Sequence, residues 1–178
     1  MNNSKISVRY AKALLVTAAE KNIEAEVGSD AETLLECINS SEDFRAVLES
    51  PVISASDKTK IFNAMFGDKF QKLTSDFFEV LVKNKREGFL KIICMDYLGF
   101  YAKKKNIKKV VITSASELDN ETSEKIALIV KNQDQTATVE LSQKTDADII
   151  GGLIIQIDDK VYDASVRTQL KKVKEKLK

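Results

Sequence analysis

Along the first hundred or so residues, apolar side chains recur at intervals of three and four, the mark of helices that bury one face. Ser4 is placed to cap a first helix in which Val8, Ala11, Leu14, Leu15, Ala18 and Ala19 follow at helical spacing, with Lys5, Arg9, Lys12 and Glu20 between them. Val27-Gly28-Ser29-Asp30 reads as an interruption, after which Ala31, Leu34, Leu35 and Ile38 restart the period. Residues 39–43 form a polar link into a short helix, Phe44 to Glu49, which must stop before Pro51 because the residue preceding proline is pushed out of the helical region. Ser56-Asp57-Lys58 opens the next helix through Ile61, Phe62, Met65 and Phe66, with Gly67 the natural residue just past its end. Leu73-Thr74-Ser75-Asp76 leads into Phe77, Phe78, Val80, Leu81 and Val82, and a last helix runs from about Glu87 to Lys105. Six helices with short polar connections predict an N-terminal six-helix bundle over residues 1–105.

After Lys103-Lys104-Lys105-Asn106 the period changes. The β-branched run Lys109 to Ser114 predicts a strand, Leu118-Asp119-Asn120-Glu121 a cap, and Ile126, Ala127, Ile129 and Val130 the apolar side of a helix. Ala137 to Leu141 alternates as a second strand. Leu153 to Ile157 and Val161-Tyr162-Asp163 read as a hairpin turning at Asp158-Asp159-Lys160. Ser165 caps a final helix in which Val166, Leu170, Val173 and Leu177 step by four, three and four, while Lys171, Lys172, Lys174, Lys176 and Lys178 cover the other faces. So short a helix is marginal alone in water and must dock on something. The class is therefore α+β: a helical bundle over 1–105, then a small C-terminal α/β domain over 106–178.

Composition narrows the chemistry. The 178 residues carry 28 Lys and Arg against 27 Asp and Glu, a balance that argues against a dedicated nucleic-acid binder. There is no His, which removes the usual general base and the commonest metal ligand. Cys37 and Cys94 lie in apolar helical contexts without metal-ligand spacing, so they read as small buried hydrophobes. Asp146, Asp148, Asp158, Asp159 and Asp163 do not follow the twelve-residue calcium-loop spacing. Gly151-Gly152 precedes a strand, not a helix N-terminus, so it reads as a backbone requirement for positive φ or a bulge, not a phosphate cradle. Lys103 to Lys105 with Lys108-Lys109 read as a solvated linker. No catalytic residue, cofactor site or metal site is expected. The N-terminus shows no secretory or organellar leader pattern, and no apolar run reaches the length of a membrane span, so a soluble cytoplasmic chain is expected. What stands out is apolar excess: small residues on a helix-one stripe (Ala11, Ala13, Ala18, Ala19), and Phe77, Phe78, Val80 and Leu81 spread over more than one face of helix five.

Three stretches carry a resemblance. Val8-Arg9-Tyr10-Ala11-Lys12-Ala13-Leu14-Leu15 is the first, and Phe77-Phe78-Glu79-Val80-Leu81-Val82-Lys83-Asn84-Lys85-Arg86 the second. The third and most specific is Ile150-Gly151-Gly152-Leu153-Ile154-Ile155-Gln156-Ile157 followed by Asp163-Ala164-Ser165-Val166-Arg167 and Leu170. In order and spacing they resemble the δ-subunit family of bacterial F-type ATP synthases, homologous to the mitochondrial oligomycin-sensitivity-conferring protein. Ala164 stands where that family usually has Gly, and Glu87-Gly88 where Leu is common, which predicts a loosened start to the sixth helix.

The resemblance implies a non-catalytic stator subunit that links the F1 catalytic hexamer to the peripheral stalk. It implies a groove on the bundle for the α-subunit N-terminal helix, lined by Tyr10, Ala13 and Leu14 from helix one and Phe77, Val80 and Leu81 from helix five. It further implies contact between the C-terminal domain and the b-subunit stalk, with Gly151, Gly152, Asp163, Ser165, Val166 and Leu170 as contact or fold-signature residues. Its expected location is the cytoplasmic face of the bacterial inner membrane, peripheral and through the complex. Competing readings are a stand-alone adaptor for another amphipathic helix, a small hydrolase or transferase working through Lys and carboxylates, and nucleic-acid contact through the lysine clusters.

Overall fold

A computed structural model of the chain describes residues 3–116, 119, 122, 125–126, 128–129, 138–157 and 160–176. It is an α+β protein whose backbone separates into two compact units, Met1–Tyr101 and Ala102–Lys178. In the first unit the element order is α1 (Asn3–Glu20), α2 (Glu24–Ser40), α3 (Glu42–Glu49), α4 (Ala55–Phe66), α5 (Lys72–Lys83) and a 3₁₀ turn (Glu87–Phe89) leading into α6 (Leu90–Lys104).

Two of the turns between helices are made by left-handed residues. Asn22 closes α1 at φ 55°, with its N–H on the Ala19 carbonyl and that of Ile23 on Ala18. Lys85 closes α5 the same way at φ 55°, its N–H bonded to Val82 and that of Arg86 to Leu81. Both pairs are the double-bonded C-terminal motif that satisfies the last helical carbonyls. Gly67, expected to do this for α4, keeps a right-handed φ of −52°.

Val27-Gly28-Ser29-Asp30 does not interrupt a helix: α2 runs straight through it. Val27, Gly28 and Asp30 are buried, and Asp30 serves a neighbour. Its Oδ2 accepts the Gln71 N–H at 2.9 Å and the Thr74 hydroxyl at 2.6 Å. The start of α5 has no cap from its own first residue, so a carboxylate on α2 caps it across the core. Ser41 and Ser54 cap α3 and α4 locally. Glu87 and Gly88 fall in a 3₁₀ turn ahead of α6, and Glu87 is held there by Lys58. The described helix α1 already includes Ser4, so its first turn begins earlier than a Ser4 cap would allow.

The core of this unit is aromatic at its centre. Phe62 stacks on Phe78 with ring centroids 3.9 Å apart, and Phe66 on Phe70 at 4.6 Å. Around them Ala11, Leu14, Ala18, Val27, Leu81, Leu90, Ile93 and Tyr97 are buried, each contributing by removal of apolar surface from water. The Tyr97 hydroxyl donates to the Glu24 carbonyl at 2.9 Å, so its burial leaves no unmet donor. The small-residue stripe of α1 is narrower than expected: Ser7, Ala11, Leu14 and Ala18 face the core, whereas Ala13 sits on another face, exposed.

In the second unit, β1 (Ile107–Ser114) pairs parallel with β2 (Thr138–Thr145) and antiparallel with β3 (Leu153–Ile157), which in turn pairs with β4 (Lys160–Asp163). The sheet order is β2-β1-β3-β4. A parallel pair needs a crossover. Between β1 and β2 the described residues Thr122, Lys125, Ile126, Leu128 and Ile129 are helical. Ile126 packs on Val110 and Ile112 of the central strand, while Ile129, expected on the same apolar side, is exposed. The proposed cap at Leu118, Asn120 and Glu121 and the hairpin turn Asp158-Asp159 lie outside the described residues. The lysines read as a linker are not one: Lys103 and Lys104 end α6, and Lys108 and Lys109 belong to β1. The chain closes with α7 (Val166–Lys176).

Candidate functional site: the α1–α5 face and the hairpin–helix junction

Each unit holds one set of the residues singled out in the sequence. In the first, α1 and α5 meet where the Tyr10 ring stands edge-on to Phe77, centroids 6.1 Å apart at 69°. Edge-to-face pairs of this kind hold two helices at a fixed spacing. Both rings are half-buried. Ala13 is exposed beside them, and Val80 is 45% exposed on α5. Leu14 and Leu81, by contrast, belong to the core, and Leu81 has no exposed surface. They can shape a groove from beneath but cannot form its surface. The reason is the period: on α5, Phe78, Leu81 and Val82 point inward, which leaves Phe77 at the edge and Val80 outside.

A cleft of about 240 Å³ opens beside this contact, lined by Ile6, Arg9, Tyr10, Ala13 and Arg86. Ile6, Tyr10 and Ala13 step by four and three, so they form one stripe of α1. Arg86 enters from the turn that closes α5. Ile6, Arg9 and Arg86 were missing from the groove expected in the sequence. Arg9 and Arg86 were visible within two of the quoted motifs, but nothing in helical spacing indicated that they would share a cleft.

In the second unit Gly151, Gly152, Asp163, Ser165 and Val166 converge on one junction. The Val166 N–H donates to the Gly151 carbonyl and the Ala164 N–H to Leu153, both at 2.9 Å. Gly152 has φ 77°, and a Cβ there would run into the Ala164 carbonyl. Ser165 is fully buried, and its Oγ accepts the Thr168 N–H at 3.2 Å, the first-turn cap of α7. Asp163 accepts from the Ser165 N–H at 2.8 Å and from the Thr168 hydroxyl at 2.7 Å. Donation from Ser165, by hydroxyl and by N–H, and then from Thr168 holds the Asp163 carboxyl down at about 2. Ala164 is not among the residues at positive φ.

These residues build the join between hairpin and helix. Surface is offered elsewhere: Leu170 and Val173 on α7 are 55% and 54% exposed, and Val161 and Tyr162 on β4 are also exposed. Of the α7 stripe, Val166 is half-buried against the junction, whereas Leu170 and Val173 stay exposed. Burial raises both thiols, Cys94 up to about 12, so neither presents a ready thiolate. Among the described residues no helix is long and apolar enough to cross a membrane.

A family model described as ATP synthase delta (OSCP) subunit matches residues 6–177. The chain is 34% identical over 171 residues to a protein named ATP synthase subunit delta from Synechocystis sp., covering 96% of this chain and 92% of that one. It is 36% identical over 171 residues to a protein of the same name from Phocaeicola vulgatus, again covering 96% and 92%. Its backbone resembles a chain in the cryo-EM structure of the Toxoplasma gondii mitochondrial ATP synthase hexamer, with a TM-score of 0.74 over 96% of each chain at 24% identity, a likeness of fold.

Proposed function

Because the chain belongs to the ATP synthase delta (OSCP) subunit family, we propose that it works as the stator subunit linking the F1 catalytic hexamer to the peripheral stalk. It is not itself an enzyme. Its task is mechanical: it holds the hexamer against rotor torque, so that proton-driven rotation is coupled to ATP synthesis instead of turning the head. A holder needs durable attachment at two places, and two linked units gripping two partners gain effective concentration from the linkage.

The N-terminal unit is the six-helix bundle, and its α1–α5 face receives the N-terminal helix of the ATP synthase α subunit. The observation that carries this is the Tyr10–Phe77 contact: it joins the two helices, while Ala13 and Val80 stay open to solvent. An amphipathic helix laid on such a face gains more than scattered surface ion pairs, worth ~0–1 kcal/mol each, could provide. The C-terminal unit meets the b-subunit stalk through the hairpin and α7, where Leu170 and Val173 lie uncovered. The protein sits peripherally, through the complex, on the cytoplasmic face of the bacterial inner membrane. No bound cofactor and no nucleic acid enter into this role.

Isothermal titration of the full chain with a peptide from the N-terminus of the same organism's α subunit tests the reading. One-to-one binding with a negative heat-capacity change is expected, and Val80→Asp should abolish it in a chain of unchanged helicity. A folded Val80→Asp chain with unaltered affinity would place the binding face elsewhere. Absence of binding to the wild-type chain would favour an adaptor for some other helix.

A further inference from the structure

We propose that the cleft beside Tyr10 is a carboxylate-binding pocket, in which Arg9 and Arg86 together grip an acidic side chain of the docked helix. The inference rests on the reading of the α1–α5 face given above and names the chemistry that would make that face selective.

Two arginines, Arg9 and Arg86, line one cleft of about 240 Å³ together with Ile6, Tyr10 and Ala13. Among the described residues no carboxylate lies within ion-pair distance of either. The neighbourhood is positive as well. Through Ala19, α1 carries Lys5, Arg9 and Lys12 and no acidic residue, and the segment that closes α5 is Lys83-Asn84-Lys85-Arg86, of which Lys83 pairs with Glu79 at 4.0 Å. Glu87, the acid adjacent in sequence to Arg86, is already engaged by Lys58 at 2.6 Å. In a chain with one net charge overall, this is a local concentration of cations.

Arg86 is also held in place. The Lys85 turn, with the Arg86 N–H on the Leu81 carbonyl at 2.8 Å, fixes the backbone from which its side chain enters the cleft. Arginine presents a planar fork that matches a carboxylate with two parallel bonds, and a pre-positioned fork loses less freedom on binding. The apolar stripe of Ile6, Tyr10 and Ala13 runs along the same cleft. The occupant that satisfies both halves is an amphipathic helix with an Asp or Glu about one turn from its apolar anchors. A wholly apolar helix would leave two guanidinium groups partly desolvated and unpaired, so the pocket selects against it.

The probe is the α-subunit N-terminal peptide, titrated into the full chain at two salt concentrations. Arg9→Gln and Arg86→Gln should each weaken binding about tenfold, equivalent to ~1.4 kcal/mol, and their combination should flatten the salt dependence. Arg86→Lys should recover only part of the loss, because an ammonium lacks the fork. Replacing the peptide's acidic residues one at a time by their amides should identify one whose loss matters to wild type and no longer matters to the double variant. Arg9 is exposed on α1, so its variant reports on binding without disturbing the fold. If wild type binds while both glutamine variants stay within twofold of it, the pocket is refuted and the α1–α5 face stands. If wild type does not bind at all, both fall together.

Discussion

Lys58 of α4 places its Nζ 2.6 Å from Oε1 of Glu87, in the 3₁₀ turn ahead of α6, and 3.0 Å from the Leu48 carbonyl at the end of α3. The ammonium is almost wholly buried, with 4% of its side chain exposed. One cation thus ties three segments that are separate in sequence. Removing one member of a buried pair leaves the other charge without compensation, at a cost of ~3–5 kcal/mol. Lys58→Met is therefore expected to lower the urea midpoint sharply, while Lys58→Met with Glu87→Leu should recover most of the loss. A single variant no less stable than the double one would mean that water relieves the stranded carboxylate.

The paired glycines should respond unequally. Alanine at 152 combines a left-handed φ of 77° with a Cβ driven into the Ala164 carbonyl, a backbone atom that cannot step aside. Alanine at 151 meets only Cγ2 of Val166, at 3.3 Å, the end of a side chain that can shift. Gly152→Ala is expected to cost ~2 kcal/mol or more and to loosen the β4–α7 junction. Gly151→Ala should cost a fraction of that. Amide exchange at Ala164 and Val166, the two N–H groups that close the junction, would show the difference directly, and equal protection in both variants would contradict it.

Acid should act on the same junction. Asp163 ionises at about 2 in the folded chain because Ser165 and Thr168 donate to it. Its unfolded value is near ~3.9. A carboxyl lowered by folding contributes stability that is full above the unfolded value and is lost as pH falls from about 4 through about 2. Carbon-detected titration of Asp163 should give a midpoint near 2, moving up towards the ordinary range in Ser165→Ala with Thr168→Val. Ser165→Ala also removes a helix cap, worth ~1 kcal/mol at any pH. An unshifted Asp163 midpoint in that double variant would show that other groups hold it down.

The α+β class was legible because burial imposes its period on the residues: three and four up to Tyr101, then β-branched runs such as Val110-Val111-Ile112. What misled was polarity that the fold puts to internal use. Asp30 and Gly28 look like a break, yet Asp30 is buried in mid-helix because it caps α5, forty residues further along. Lys58 looks like a helix-opening surface cation, yet it is buried, and its partner Glu87 lies 29 residues further along. Pairings of that range leave no periodic trace. On the α1–α5 face, the motifs brought forward Tyr10 and Phe77, which do touch, together with Leu14 and Leu81, which are core. A resemblance marks positions without distinguishing those that meet a partner from those that support the helix beneath. Ile6 joined them only once the α1 stripe had a neighbour to define its side.

Ile150 carries the remaining prediction. It lies just before the two glycines at φ 69° and ψ −36°, a region that suits a β-branched residue poorly, and its side chain is 62% exposed. The strain is held by the surrounding bonds: its N–H closes on the Ala147 carbonyl at 3.0 Å, and the next residue, Gly151, accepts from Val166. Little packing offsets the cost, so the folded chain stores ~1–3 kcal/mol at this residue. Glycine relieves it but gains freedom in the unfolded chain, worth ~0.5–1 kcal/mol in the opposite sense. Ile150→Gly should therefore raise stability by ~1 kcal/mol, read as a higher melting temperature of the full chain. Ile150→Ala keeps the Cβ that causes the strain and should change stability by much less. The comparison separates strain from packing: if glycine and alanine destabilise the chain alike, the Ile150 side chain is contributing contacts and the conformation is not the source of the cost.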